Sequence, residues 1–343
     1  MQNRSGILLL AIPFLFLFSC GPREEQQLEK LTREDSLNRV LKDLNAKIER
    51  NPDDPELYYR RATWYLSNQK PDRALQDIGR AVVLDPDNPE YLITRSDIFL
   101  LLGQPGECSN SLMKVLELDP GNNRAVLKLA KLNLIQRDYR GSFERVRQAL
   151  EKEPLNPEAF YIRGLALLEI GDTAKAVADL QKAVDQDQHY YEALILLGEL
   201  YSMKKDPLAA GYLRNALKVR PGSREALYML GMFYQETEQY QPAIETYAVL
   251  SLADTAFRGA PYNTGYIYLV YLRDFPRAVE FFSETLKRDP DYAEAWFNRG
   301  YAYELMQDYD RAAKDYKKAL ELKTNYGKAI DGLNRIDRIR AGR

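Results

Sequence analysis

The sequence predicts an all-α fold, a solenoid of about eight helical hairpins in tandem, and three observations predict it. A column of small residues recurs along the chain as Ala62, Ser96, Ala130, Gly164, Gly198, Gly231, Gly265 and Gly300. A second column reads Ala74, Cys108, Ser142, Ala176, Ala210, Ala243, Ala278 and Ala312, with neighbours 34 residues apart except for one step of 33 and one of 35. A third carries Pro86, Pro120, Pro154, Pro221 and Pro290, with Gln188, Thr255 and Thr324 in the remaining units. A period held within about 20–50 residues marks a repeat architecture, in which each unit buries its apolar face only against its neighbours.

Taken in order, residues 1–19 read as an export segment. Arg4 precedes the apolar run "ILLLAIPFLFLF" at 7–18. The run suits a signal-peptide core and falls short of the roughly 20 residues a spanning helix needs. Pro13 inside it also opposes a stable spanning helix. The run ends "LFSC", which resembles the bacterial lipobox, where a small residue (here Ser19) precedes the cysteine that is acylated; Phe18 departs from the small or branched residue usual there. The resemblance implies lipidation of Cys20. Each buried methylene contributes about 0.8 kcal/mol, so two or three acyl chains hold a protein firmly where one does not. Gly21 is not the aspartate that favours inner-membrane retention in enterobacterial lipoproteins. The expected location is therefore the bacterial envelope, on the outer membrane, facing the periplasm or the surface. The "REE" that follows resembles the short tag of surface-displayed lipoproteins.

Residues 20–35 form a charged tether, and 36–54 an N-terminal capping helix with Leu37, Val40, Leu41, Leu44 and Ile48 on one face. Thr32 with Asp35, or Ser36 alone, supplies its start. Eight units follow at 55–88, 89–122, 123–156, 157–190, 191–223, 224–257, 258–292 and 293–326. In the five units that carry it, the closing proline follows the second helix, because proline cannot continue it without losing a hydrogen bond. Residues 327–343 close the array with a helix whose apolar residues are Ala329, Ile330, Leu333 and Ile336.

Within a unit the fourth place is aromatic or apolar, the eighth small, the eleventh aromatic and the twentieth Ala. In the last unit these are Trp296, Gly300, Tyr303 and Ala312. Over residues 55–326 this pattern resembles the tetratricopeptide repeat family. Small residues at the eighth and twentieth places let the two helices of a unit approach closely, while large ones fill the gaps between units. The fifth unit is one residue short near "DPLAAGYLRNALKVRPG" and the seventh one long around "YLVYLRDFPRA". Pro261 replaces the fourth-place aromatic in the seventh, so a local distortion or kink is expected there.

Composition excludes several classes. A net charge of −2 gives no electrostatic footprint for nucleic acid. Two cysteines make no disulfide framework, and Cys108, at a place otherwise held by Ala or Ser, reads as a buried inert thiol. His189 is the only histidine and falls in a loop, so no metal-ligand spacing exists. The carboxylates read as solvated Glu–Lys pairs on helix surfaces. No phosphate loop follows a strand, and no catalytic domain follows the repeats. Neither an enzyme, nor a cofactor, nor a metal is expected.

What remains is a binding face. The family resemblance implies a concave wall built from the second, fifth, ninth, twelfth and thirteenth places of each first helix. Those places carry Tyr59, Tyr161, Tyr228, Met232, Tyr262, Tyr266, Phe297 and Tyr301, with Glu158, Glu192, Glu199, Glu225, Glu236, Glu294 and Glu304 among them. The third unit alone adds a basic spot of Arg124, Lys128 and Lys131. Tyrosine offers contact area and a hydroxyl at low entropy cost, which suits peptide recognition. Eleventh-place tyrosines Tyr201, Tyr234, Tyr268 and Tyr303 are expected to pack instead. The carboxylate clamp found in some members of the family is absent: Tyr59, Thr63 and Thr94 stand where its Lys and Asn residues belong. The expected function is a lipid-anchored adaptor or scaffold binding a protein or peptide. The alternative is a fixed subunit of an outer-membrane assembly or secretion complex, which would show a large apolar outer patch.

Overall fold

Helix ends, written into the sequence as Pro, Asp and Asn, set the hairpins. The computed structural model describes residues 39–342. The export segment, Cys20, the tether, Leu37 and the candidate cap residues Thr32, Asp35 and Ser36 lie outside the described residues. All regular structure among the described residues is helical, in two bodies that meet in the chain at Ala125 and Val126. A helix over 39–50 comes first. Each unit then contributes a helix A and a helix B. The A helices are Pro55–Ser67, Pro89–Leu101, Asn123–Ile135, Pro157–Glu169, Tyr191–Ser202, Arg224–Glu236, Gly259–Tyr266 and Ala293–Leu305. The B helices are Pro71–Leu84, Pro105–Leu118, Tyr139–Lys152, Thr173–Gln186, Leu208–Val219, Tyr240–Ala253, Phe275–Arg288 and Tyr309–Leu322, and Gly327–Arg340 ends the chain.

Proline at the first helical position costs no hydrogen bond, because that N–H has no intrahelical acceptor. It starts helix A in units one, two and four and helix B in units one and two. In units three, four, seven and eight an aspartate caps helix B: Asp138, Asp172, Asp274 and Asp308 each accept from a backbone N–H in the first turn. Between A and B every unit passes through one left-handed residue, namely Gln69, Gly103, Arg137, Gly171, Lys205, Glu238, Arg273 and Gln307. Only two of the eight are glycine, and an L-residue there costs about 1–2 kcal/mol relative to its right-handed form. Gln307→Gly is therefore expected to raise the unfolding free energy by about 1 kcal/mol, read from urea denaturation. An unchanged midpoint would show that the glutamine conformation is not strained.

The two small columns are buried throughout, from Ala62 and Ala74 to Gly300 and Ala312. Their partners explain the choice between Ala and Gly. A Cβ on Gly231 would stand 2.4 Å from Cε1 of Tyr247, and one on Gly300 3.0 Å from Cδ1 of Tyr316. Gly265 meets Phe282 in the same way, Gly198 meets Leu213 and Gly164 meets Leu180. Units one to three, with Ala or Ser in the first column, carry Ile78, Leu112 and Val146 sixteen residues on. The largest side chains thus sit where the opposite helix has none.

The extra residue of unit seven lies where expected, at the end of its helix A. That helix passes after Tyr266 into a π-helical turn, Ile267–Leu272, and leaves through Arg273 at φ 53°. A wider turn absorbs one inserted residue without moving the rest of the register. Pro261 causes no kink; it occupies the first turn of Gly259–Tyr266, where a missing N–H breaks nothing. Unit five takes its deletion in the helices, which are 12 residues each against 14 for helix B of unit four.

Two expectations for the end helices need correction. Leu44 and Ile48 are buried, but Val40 is 48% exposed, because among the described residues only unit one covers the helix over 39–50. At the other end the buried stripe is Ala329, Gly332 and Ile336, and Ile330 is 41% exposed. Gly332 sets this rotation: a Cβ there would lie 2.4 Å from the ring of Tyr316, so the helix approaches on its glycine side.

Candidate functional site

Within each body the A helices of neighbouring units touch, as Tyr191–Ser202 does Arg224–Glu236, and Pro55–Ser67 does Pro89–Leu101. Tyr161, Tyr228, Tyr262 and Phe297 are each half-buried, and each packs on a ring from the end of its own unit. Tyr161 lies 5.2 Å from Tyr190, Tyr228 5.5 Å edge-on from Phe257, Tyr262 4.8 Å from Tyr292 and Phe297 5.2 Å from Tyr326. Sequence reasoning missed these partners. The signal was present: they stand at the last place of the unit, where Asn88, Asn156 and Ser223 cap the following helix in other units. Tyr190, Tyr292 and Tyr326 make no side-chain cap. A cap worth about 1 kcal/mol has been exchanged for a ring pair of similar worth plus its buried area.

The Tyr262 hydroxyl on this face and that of Tyr247 behind it are engaged. Asn298 Nδ2 donates to Tyr262 Oη at 3.0 Å; Asn263 Nδ2 donates to Tyr247 Oη at 3.1 Å and to Met232 Sδ at 3.5 Å. Burial, then Tyr292, pushes the Tyr262 hydroxyl well above its ordinary range; burial does the same to Tyr190, with Glu158 next. In the first body Tyr59 lies 5.0 Å from Tyr91, whose hydroxyl donates to Glu56 and is pushed up to about 12 by burial and then by Glu56. Tyr266 stands edge-on to Tyr271, which stacks on Tyr240 at 4.6 Å, and Tyr301 lies parallel to Phe297 at 6.2 Å.

The expected division between lining and packing tyrosines is therefore one of degree. Eleventh-place Tyr268 is buried and stacks on Phe281, and Tyr201 stacks on Tyr212, yet Tyr201, Tyr234 and Tyr303 are half-buried like the inner set. Inner rings pack because consecutive A helices bring a ring at the unit's end within reach.

The basic spot of unit three is not an open one. Arg124 is held by both carboxylate oxygens of Glu90, at 2.9 and 2.7 Å, and Lys131 by Glu158 at 2.5 Å. Lys128 is half-buried. Second-place glutamates of flanking units neutralise what looked free in the linear sequence.

Nor are all carboxylates solvated. Arg61–Asp77, Arg163–Asp179 and Arg299–Asp315 are bidentate pairs between helix A and helix B, at 2.6–2.9 Å, with each aspartate buried. Unit two has Arg95 at this place but only Ser111 Oγ opposite, at 3.1 Å, and burial lowers the arginine's pKa.

Cys108 is buried, 3% exposed, and His189 is exposed in its loop. Among the described residues no cluster of His, Cys, Asp and Glu has the makings of a metal site. No described helix is long and apolar enough to cross a membrane. A cleft of about 550 Å³ opens between the B helices of units four and five, lined by Gln181, Asp185, His189, Tyr212, Asn215 and Lys218. It holds none of the candidate partner-binding residues named from the sequence.

Tandem helical hairpins with rings and carboxylates ranged along their A helices define a helical-repeat binding protein. Family models described as tetratricopeptide repeat match residues 89–122, 127–191, 225–251 and 267–327, together more than half of the chain, and the chain belongs to the tetratricopeptide-repeat family. Proteins of this kind bind protein partners.

Curated relatives include a DnaJ homolog subfamily C member 7 homolog of Dictyostelium discoideum, 23% identical over 52% of this chain and 30% of that protein. DnaJ homolog subfamily C member 3 of Rattus norvegicus is 26% identical over 59% and 43%, and anaphase-promoting complex subunit 3 of Schizosaccharomyces pombe 21% over 57% and 29%. The chain spans less than half the length of each. A solved structure, the C-terminal part of a TPR repeat-containing protein from Cytophaga hutchinsonii, is 17% identical over 80% of this chain and 99% of that one, with a TM-score of 0.49.

Proposed function

We propose that this protein is an adaptor that seats a segment of a partner protein on the A-helix face of units four to eight. Its own attachment is through lipid on Cys20, at the outer membrane of a bacterial envelope, and it carries no catalysis. One observation carries the binding half: the rings at the fifth and ninth places, Tyr161, Tyr228, Tyr262, Tyr266, Phe297 and Tyr301, remain half-exposed along one face after folding. Half-exposed aromatics ringed by polar groups are the anchors from which interfaces draw most of their affinity.

The test places a photo-crosslinking residue at Met232, on that face, or at Leu252, 83% exposed on helix B, in cells. A partner is expected from position 232 and not from 252. Equal capture at both, or none at 232, removes the A-helix face as the site. The anchor is tested separately. Cys20→Ser is expected to abolish palmitate labelling and outer-membrane fractionation; retention of both sinks the attachment.

A further inference from the structure

We infer that the seated segment is cationic, an extended stretch of a partner protein bearing Lys or Arg side chains. This rests on the adaptor reading and gives its partner a chemistry. In units four to eight, every charged residue at the second, fifth, ninth, twelfth and thirteenth places of helix A is a glutamate. The chain neutralises part of this acidity itself: Glu158 pairs with Lys131, Glu192 with Arg220, Glu294 with Lys323 and Glu304 with Arg335. Glu199 and Glu236 are exposed and form no ion pair among the described residues.

An independent observation shows what such a surface takes. In units five, seven and eight the fold seats one of its own cations between a ring and a carboxylate. Arg220 lies 3.8 Å over Tyr191 and 2.8 Å from Glu192. Arg258 lies 4.2 Å over Tyr292 and pairs with Asp289, and Lys323 lies 4.9 Å over Tyr326 and 3.1 Å from Glu294. Ring faces and carboxylates both attract cations, and the two act together when one group meets both. Tyr228, Met232 and Glu236 set a ring and a carboxylate along one helix at four-residue steps, with no cation on the glutamate among the described residues. An acidic segment or an anionic membrane surface would meet like charge on this face, so a basic protein segment is the occupant it favours.

The probe is a fluorescein-labelled peptide of alternating Lys and Gly, with its Glu–Gly counterpart, titrated into the full chain in detergent and followed by anisotropy. Binding of the Lys peptide is expected, weakened about tenfold by Glu199→Lys with Glu236→Lys and unchanged by Glu245→Lys with Glu280→Lys. The second pair alters net charge equally from exposed positions on the B helices of units six and seven. An equal loss from both pairs would reduce the effect to diffuse net charge and overturn the inference, as would comparable binding of the Glu peptide. A partner crosslinked at position 232 through a neutral or acidic segment overturns the cationic inference while leaving the adaptor reading in place. No capture at 232 overturns both.

Discussion

Replacing Asp315 with alanine is expected to lower the unfolding free energy by about 3–5 kcal/mol, because it strands the buried cation of Arg299. The pair is bidentate, and the aspartate side chain is 4% exposed. After the change Arg299 keeps Ser283 Oγ, at 3.0 Å, and the face of Trp296, at 4.6 Å, but no carboxylate. Replacing both partners with leucine is expected to recover most of the loss, since shape-matched apolar groups often equal a buried ion pair. Units five and six already carry Leu197 and Leu230, both buried, at the arginine's place. Urea denaturation followed by circular dichroism measures each variant, and a single alanine variant as stable as the parent would show that water reaches Arg299. Unit two offers the converse: Ser111→Asp gives Arg95 its missing carboxylate and is expected to stabilise.

The second large effect lies at Gly231. A methyl group there overlaps Tyr247, which is 0% exposed, so Gly231→Ala is expected to cost about 1–3 kcal/mol. Tyr247→Leu leaves a cavity and is expected to cost about as much or more. Combined, the two recreate the small–aliphatic pairing of units one to three, and their costs should fall short of additivity by about 1–3 kcal/mol. Strict additivity would mean that the residues do not share one space.

Position by position, the repeat was legible because packing forces it. Two helices approach closely only over small side chains, so Gly198, Gly300 and Ala312 announce themselves at fixed spacing. The column of rings on the A helices was legible for the same reason, since Tyr228, Tyr262 and Phe297 recur at one place of the unit. Pairings across that spacing were not. Asp77, Asp179 and Asp315 meet their arginines sixteen residues away, on another helix, where a search for charges three or four apart finds nothing. Arg124 and Lys131 looked free because Glu90 and Glu158 belong to the flanking units. Tyr190 and Tyr292 recur at the last place of their units, but that place lies in a loop, where a helix cap rather than a packing ring is the expected use. Ile330 was misjudged because one glycine, Gly332, outweighed an isoleucine in setting the helix rotation.

In units five to eight the ion pair near each unit's end comes from that unit alone: Glu192 with Arg220, Arg224 with Asp254, Arg258 with Asp289, Glu294 with Lys323. So do the fitted pairs of Gly231 with Tyr247 and Gly300 with Tyr316. A gene duplication that copies one such stretch copies its charge partners and its knob-and-hole fit with it. Array length in this half of the molecule can then change by recombination with these pairs already matched inside each copied unit.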